Sequence, residues 1–244
     1  LLPQMLRAWS LWLTAQGLRA PDSLRLVAVG GAAVGERLIA LARSVGIPAH
    51  EGYGLSEGAS VQTLNLPGAD RPGSAGRPLP HTRLRVDEDG QIHVAGSLMT
   101  GYLGDTRPAP TWWPTGDVGE LDADGFLHVR GRQRQVLITA FGRNVSPEWV
   151  EIELRGEAAI GQAVVFGDGQ PALSAVLWPL QPDLPDAALA TAVAAANRRL
   201  PDYARLSHWV RARADFSPAS GLSTPNGRPQ RQAIANLHAD ALFS

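Results

Sequence analysis

At the start of the chain, LLPQMLRAWSLWL places Leu2, Met5, Leu6, Trp9 and Leu13 on one stripe at helical spacing. The pattern predicts a core-facing amphipathic helix, with packing partners expected upstream of residue 1. Gln4 and Arg7 interrupt the apolar run, so it is too short and too mixed to span a membrane. It also lacks the basic start and small-residue cleavage site of a signal peptide. From Ser23 the pattern becomes strand, helix, strand: LRLVAV, then VGERLIALARSVG, then IPAHEGY. This is a βαβ unit of a parallel sheet, whose ligand sites lie beyond the carboxyl ends of the strands. Both GGAA (30–33) and GYGLSEG (52–58) fall at that edge.

Between Pro67 and Arg132, glycine and proline punctuate short alternating runs. LRVDEDGQIHVAG (84–96) and GELDADGFLHVRG (119–131) read as two versions of one hairpin, each turning at Asp-Gly. They predict a small antiparallel sheet or open barrel. The apolar run VLITAF follows, and then GRNVSPEWVEIEL, in which Ser146 is placed to cap a helix with Pro147 at its first position. AVVFG, ALSAVLWP and LSHWVRA read as strands; DAALATAVAAANRRL and QAIANLHADALF read as helices. The expected boundaries are 1–132 for an α/β part (βαβ unit 1–66, barrel-like part 67–132) and 133–244 for a smaller α+β domain.

Composition narrows the chemistry. At 244 residues and 44% hydrophobic, the chain suits one large domain or two modest ones. A formal charge of −1 gives no general pull toward nucleic acid or acidic membranes. There is no cysteine, which removes disulfides and thiolate chemistry and is compatible with the cytoplasm, the expected compartment. All 22 basic residues are arginine, so any step needing a lysine must use a guanidinium or a residue outside the chain.

Several local motifs compete. GLSEG (54–58) matches the G-x-S-x-G nucleophile elbow, which would make Ser56 a hydrolase serine, but no long helical stripe follows it. GGAAVGER departs from a P-loop, because Glu36 and Arg37 stand where lysine and a hydroxyl belong. Its glycines serve either strand-to-helix packing or contact with a flat ligand. The histidines show no metal-ligand spacing. The two D-x-D-G segments lack the bidentate glutamate of a calcium loop, since Leu98 and Gln133 hold that position, and they read as turns. Arg205, Arg211 and Arg213 read as a solvated face.

Taken in order, four motifs resemble the carboxyl-terminal half of an adenylate-forming (AMP-binding) enzyme of the acyl-CoA synthetase, adenylation-domain and luciferase superfamily. The segment ITAFGRNVSPEWVE resembles most the long-chain acyl-CoA synthetase branch. The resemblance implies the end of a large α/β domain with a small β-barrel, then a small mobile α+β lid domain. In Tyr53-Gly54-Leu55-Ser56-Glu57 it implies that Tyr53 stacks on adenine, Ser56 bonds the α-phosphate and Glu57 holds Mg²⁺, with the glycines letting nucleotide lie against main chain. Gly30, Gly31 and Ala32 match the adenine and acyl pocket. Asp117 of Thr115-Gly116-Asp117 would take the ribose hydroxyls, and Arg132 would lie near ribose and phosphate. Arg134 and Gln135 would form the hinge.

Two departures from the family pattern matter. Asn226-Gly227-Arg228-Pro229-Gln230-Arg231 puts Arg228 where the family has its catalytic lysine, which implies slower adenylation. Phe141 replaces a glycine that lets the thiol arm pass, with Gly142 beside it. The resemblance implies an ATP-dependent carboxylic acid ligase that forms an acyl-adenylate and then a thioester with CoA or a carrier thiol, a fatty acid being the favoured substrate. The family's phosphate loop is not in this sequence. The chain is therefore expected to be a fragment, inactive alone, that works with an amino-terminal part. A non-catalytic nucleotide-binding remnant and a serine hydrolase using Ser56 are the alternatives.

Overall fold

The computed structural model describes residues 1–104, 106–225 and 227–242. The chain divides into two compact units, Leu1–Arg134 and Gln135–Ser244.

In the first unit, α1 (Pro3–Gln16) starts with proline at its first position and ends at Gly17, whose left-handed φ of 62° closes the helix. Strands β1 (Val27–Val29) and β2 (Ala49–Tyr53) pair in parallel around α2 (Glu36–Ser44), which is the expected βαβ unit. The apolar run LRLVAV contributes only its last three residues to a strand. Leu6 and Leu13 of α1 join Val29, Ile39, Ala42 and Ile47 in one core, so the helix finds partners within this chain. Met5 departs from the expected stripe: it is 52% exposed, because the buried face narrows to Leu6, Ser10 and Leu13.

The first sheet continues antiparallel through the two-residue strands β3 (Thr63–Leu64) and β4 (Arg77–Pro78). A second sheet is a meander of β5 (Thr82–Val86), β6 (Gln91–Gly96), β7 (Trp113–Leu121) and β8 (Leu127–Arg132). Both Asp-Gly segments are turns. Asp87 Oδ1 accepts the Gln91 amide at 2.8 Å, and Asp122 Oδ1 accepts those of Asp124 and Phe126 at 3.0 Å. Tyr53 and Leu55 pack on the small core of this sheet, built on Ile92, Val94 and Leu127. That packing brings the end of β2 to the second sheet.

In the second unit, β9 (Leu137–Ile138) and β10 (Asn144–Val145) form a short hairpin, followed by α3 (Pro147–Arg155). Ser146 stands at the N-cap position but does not cap the helix; its hydroxyl donates to Glu148 Oε2 at 3.1 Å. Strands β11 (Ile160–Phe166) and β12 (Leu173–Pro179) are antiparallel, and β13 (Leu206–Arg211) lies parallel to β12. Alternation divides their side chains between two cores. Ala163, Val165, Ala175 and Leu177 face α3 and α4 (Asp186–Asn197), whereas Val164 and Val176 meet Ile234 and Leu242 of α5 (Arg231–Leu242). Arg205 and Arg211 pair with Asp202 and Asp186.

Candidate functional site

The candidate site grows from a bulge in β7. Partners of β6 step from His93↔Pro114 to Gln91↔Val118, so that Thr115, Gly116 and Asp117 on β7 face the single residue Ile92. Gly116 supplies the left-handed φ of 74° that the bulge requires. The Thr115 hydroxyl donates to the Ile92 carbonyl at 2.8 Å and accepts the Asp117 amide at 3.1 Å, which fixes the bulge from both sides. Asp117 is only 6% exposed. Its Oδ1 pairs with Arg132 Nε at 2.7 Å, from the residue opposite on β8, and its Oδ2 accepts the Tyr53 hydroxyl at 2.6 Å. Burial, and then the Asp117 charge, push the Tyr53 phenol above its ordinary value, so it stays a donor. Tyr53, Asp117 and Arg132 are thus brought together from three separate strands.

The segment after β2 is a shaped loop with no helix following. Ser56–Gly58 makes one 3-10 turn, and Ala59 and Ser60 then take left-handed φ values of 59° and 81°. The nucleophile elbow of a hydrolase, with a helix starting at its serine, is absent here; Ser56 is exposed at the start of this turn. Buried Gln62 pins the loop, accepting the Leu55 amide at 2.8 Å and donating to the Gly58 carbonyl. Glu57 is held twice: its carbonyl accepts the Met99 amide at 2.8 Å, and its Oε1 accepts the Tyr102 hydroxyl at 2.7 Å. The Tyr102 ring meets Trp113 edge-on at 6.0 Å. Neither Gln62 nor Tyr102 is marked by a sequence motif: Gln62 bonds within its own irregular loop, and Tyr102 reaches Glu57 from 45 residues away.

The glycines serve the chain itself. A Cβ on Gly54 would overlap the Ser60 carbonyl, one on Gly52 would lie 2.8 Å from the Thr63 oxygen, and one on Gly30 would lie 2.6 Å from the Gly52 oxygen. The close approach is therefore main chain to main chain, and it joins Gly30 to the Tyr53 strand. Gly31 and Ala32 are exposed beside Gly30. Glu51 accepts the Val34 amide; burial, with the Glu36 charge, raises its carboxyl to about 7.

Arg134 and Gln135 are exposed in the 3-10 turn Gln133–Gln135, one on each side of the division between units. In the second unit, Phe141 and Gly142 form the tip of the β9–β10 hairpin. Phe141 is 77% exposed and Gly142 has φ 72°. Arg228 is exposed on a turn closed by the Ser223↔Pro229 bridge. Asn226 of that motif lies outside the described residues. The foot of the turn, Arg231, pairs with buried Glu151 at 2.7 Å, and Glu151 also accepts the Val165 amide at 2.9 Å.

Among the described residues no group of three or more His, Cys, Asp or Glu could hold a metal ion. What fits Glu57 is an ion taking one protein carboxylate, with phosphate oxygens and water completing its shell. That is the habit of Mg²⁺, whereas Zn²⁺ takes three or four protein ligands. No described helix is long and apolar enough to cross a membrane.

A βαβ edge, a bulged meander presenting a buried carboxylate, and a separate α+β unit make this a mixed α/β chain of two units. A family model described as AMP-binding enzyme matches residues 1–103, and one described as AMP-binding enzyme C-terminal domain matches residues 134–242. The chain belongs to this AMP-binding, adenylate-forming family. It is 32% identical over 245 residues to a long-chain-fatty-acid–CoA ligase of Mycobacterium bovis, covering 88% of this chain and 41% of that protein. It is 34% identical over 168 residues to a 2-succinylbenzoate–CoA ligase of a Geobacillus species, covering 61% and 34%. The structure resembles O-succinylbenzoate CoA synthetase from Bacillus subtilis, solved with ATP and magnesium, at TM-score 0.71 and 26% identity over 86% of this chain and 46% of that one. In fold it resembles the anthranilate CoA ligase AuaEII, solved with anthranoyl-AMP, at TM-score 0.82 and 24% identity over 98% and 49%. The chain thus spans less than half the length of each of these proteins.

Proposed function

We propose that this chain is the nucleotide-gripping and lid-bearing portion of an ATP-dependent carboxylic acid–CoA ligase. The observation that carries the reading is the buried Asp117 carboxylate on its bulge, flanked by Tyr53 and Arg132. A carboxylate with two oxygens can accept both hydroxyls of a ribose, and Tyr53 offers a ring face to adenine. Ser56 donates to the α-phosphate, and Glu57 is the one protein carboxylate for Mg²⁺, its Oε1 oriented by Tyr102. When bound, the ion neutralises charge on the phosphates.

The substrate carboxylate attacks the α-phosphorus, the bond to pyrophosphate breaks, and an acyl-adenylate remains. Arg228 supplies the cation for the transferring phosphoryl group. The sulfur of CoA, or of a carrier thiol, then attacks the acyl carbon, and AMP leaves with the electron pair. Arg134 and Gln135 serve as the pivot between the two steps, and the Phe141–Gly142 tip borders the thiol's path. A fatty acid is the favoured acid, supported by the ligase name of the Mycobacterium bovis relative; aryl acids are the competing class.

The test is acid-dependent ATP–pyrophosphate exchange by the protein of the complete reading frame, offered short-chain, long-chain and aryl acids. Exchange with long-chain acids is expected. Folded protein that binds AMP and exchanges with none of them overturns the ligase reading in favour of a non-catalytic nucleotide-binding remnant.

A further inference from the structure

One five-residue sequence of the form T-x-x-G-R occurs twice in the second unit, Thr139-Ala140-Phe141-Gly142-Arg143 and Thr224-Pro225-Asn226-Gly227-Arg228. The bonding among the threonine, glycine and arginine is the same in each. The threonine amide donates to the arginine carbonyl, at 3.0 Å and 2.8 Å. The glycine amide donates to the threonine carbonyl, at 2.8 Å in both. The arginine amide donates to the threonine Oγ1, at 3.2 Å and 3.1 Å. Each glycine adopts a left-handed φ, 72° at Gly142 and 76° at Gly227, which is what the turn demands before the arginine.

The second copy is anchored at its base as well. The Gln230 amide donates to the Leu222 carbonyl at 2.9 Å, and its side chain donates to the Ser223 carbonyl at 3.3 Å. Arg231 is fixed by Glu151 and the Val165 carbonyl, and α5 then runs into the core through Ile234. Pro225, next to Thr224, and Pro229, next to Arg228, each have a fixed φ. The exposed Arg228 side chain thus leaves between two bonded points, Thr224 on one side and Gln230 with Arg231 on the other.

We propose that Thr224 is a positioning residue: its hydroxyl, by holding the Arg228 amide, sets the direction in which the Arg228 guanidinium is presented. This rests on the reading of Arg228 as the cation of the adenylation step. A guanidinium held in place stabilises developing charge without first being ordered, so the effect belongs to turnover more than to binding. The Arg228 amide is solvent-accessible, so water can replace the lost bond and the stability change is small.

The experiment uses the protein of the complete reading frame with Thr224→Val, Thr224→Ser, Thr139→Val and Arg228→Ala. Thr224→Val is expected to lower the kcat of acid-dependent ATP–pyrophosphate exchange about five- to tenfold, from loss of one hydrogen bond. KM for ATP, the melting temperature and thioester formation from supplied acyl-adenylate should stay near wild type. Thr224→Ser should restore the rate, and Thr139→Val, the same deletion in the other turn, should leave exchange unchanged. Adding Thr224→Val to Arg228→Ala should cost nothing further.

If Arg228→Ala slows exchange while Thr224→Val matches wild type, the positioning role is wrong. Equal losses from Thr139→Val and Thr224→Val also overturn it, since they indicate general loosening of the unit. If Arg228→Ala itself exchanges normally, the underlying assignment of Arg228 has failed instead.

Discussion

Glu51 should make the stability of the first unit fall as pH rises, and Glu51→Gln should remove that dependence. Glu51 stands opposite Val29 in the parallel β1–β2 pair and accepts the Val34 amide, so its carboxyl lies where the glycine-rich turn meets the end of β2. Burial first, and the neighbouring Glu36 charge in addition, raise it from 4.5 to about 7. A raised carboxyl contributes stability that is complete below its ordinary value and is lost as pH climbs through the folded value. The gap between the two values corresponds to at most about 3.4 kcal/mol, and the side chain's partial contact with solvent brings the expected loss to about 2–3 kcal/mol.

Glutamine keeps the shape and the acceptor for Val34 but carries no charge. Urea unfolding, followed through amide resonances of β1 and β2 from about pH 5 to about pH 8.5, compares the two proteins, and ¹³C titration of the missing carboxyl resonance gives its midpoint directly. Between about pH 5 and about pH 8 the wild-type curve should fall relative to that of the variant by about 2–3 kcal/mol. Parallel curves, or a midpoint near 4.5, would refute the reasoning.

Other outcomes follow from packing and chemistry. Gly54→Ala puts a methyl on the Ser60 carbonyl and should cost about 1–3 kcal/mol together with AMP affinity, as read by thermal melts and calorimetry. Gly68→Ala, in open space, should cost about 1 kcal/mol and leave AMP binding intact. Glu151→Ala orphans the Val165 amide and unpairs Arg231; because Arg231 is partly solvated, about 2–4 kcal/mol is expected in urea unfolding of the second unit. Arg228→Ala should slow pyrophosphate exchange about a hundredfold, while Arg228→Lys should exchange faster than wild type. Phe141→Gly should raise thioester output at constant exchange rate; unchanged output removes the ring from the thiol's path.

The elements legible in the sequence are those set by local pattern. The βαβ unit follows from Val27–Val29 and the Ile39/Ala42 stripe, the two hairpins from their Asp-Gly turns, and the two-faced sheet of the second unit from alternation in AVVFG and ALSAVLWP. Four family motifs pointed to Tyr53, Asp117 and Arg132. What local pattern does not carry is register and long-range bonding. The bulge at Thr115–Asp117 appears only when β6 and β7 are paired, and β3 and β4 are two residues each, held by pairing alone. Tyr102 reaches Glu57 from 45 residues away, and Gln62 closes a loop that has no periodicity. The carbonyls of Gly52, Thr63 and Ser60 close on Gly30, Gly52 and Gly54, an approach that no one-dimensional pattern reveals.

The central claim is that Asp117, on its bulge, receives the ribose of an adenine nucleotide. Calorimetry of AMP and 2′-deoxy-AMP binding, on wild type and Asp117→Asn, tests it most directly. The wild type should bind AMP about tenfold more tightly than 2′-deoxy-AMP, through one charge-assisted hydrogen bond, and the variant should lose that discrimination. An Asp117→Asn protein that binds AMP as tightly as wild type, and still distinguishes the two nucleotides, would contradict the account.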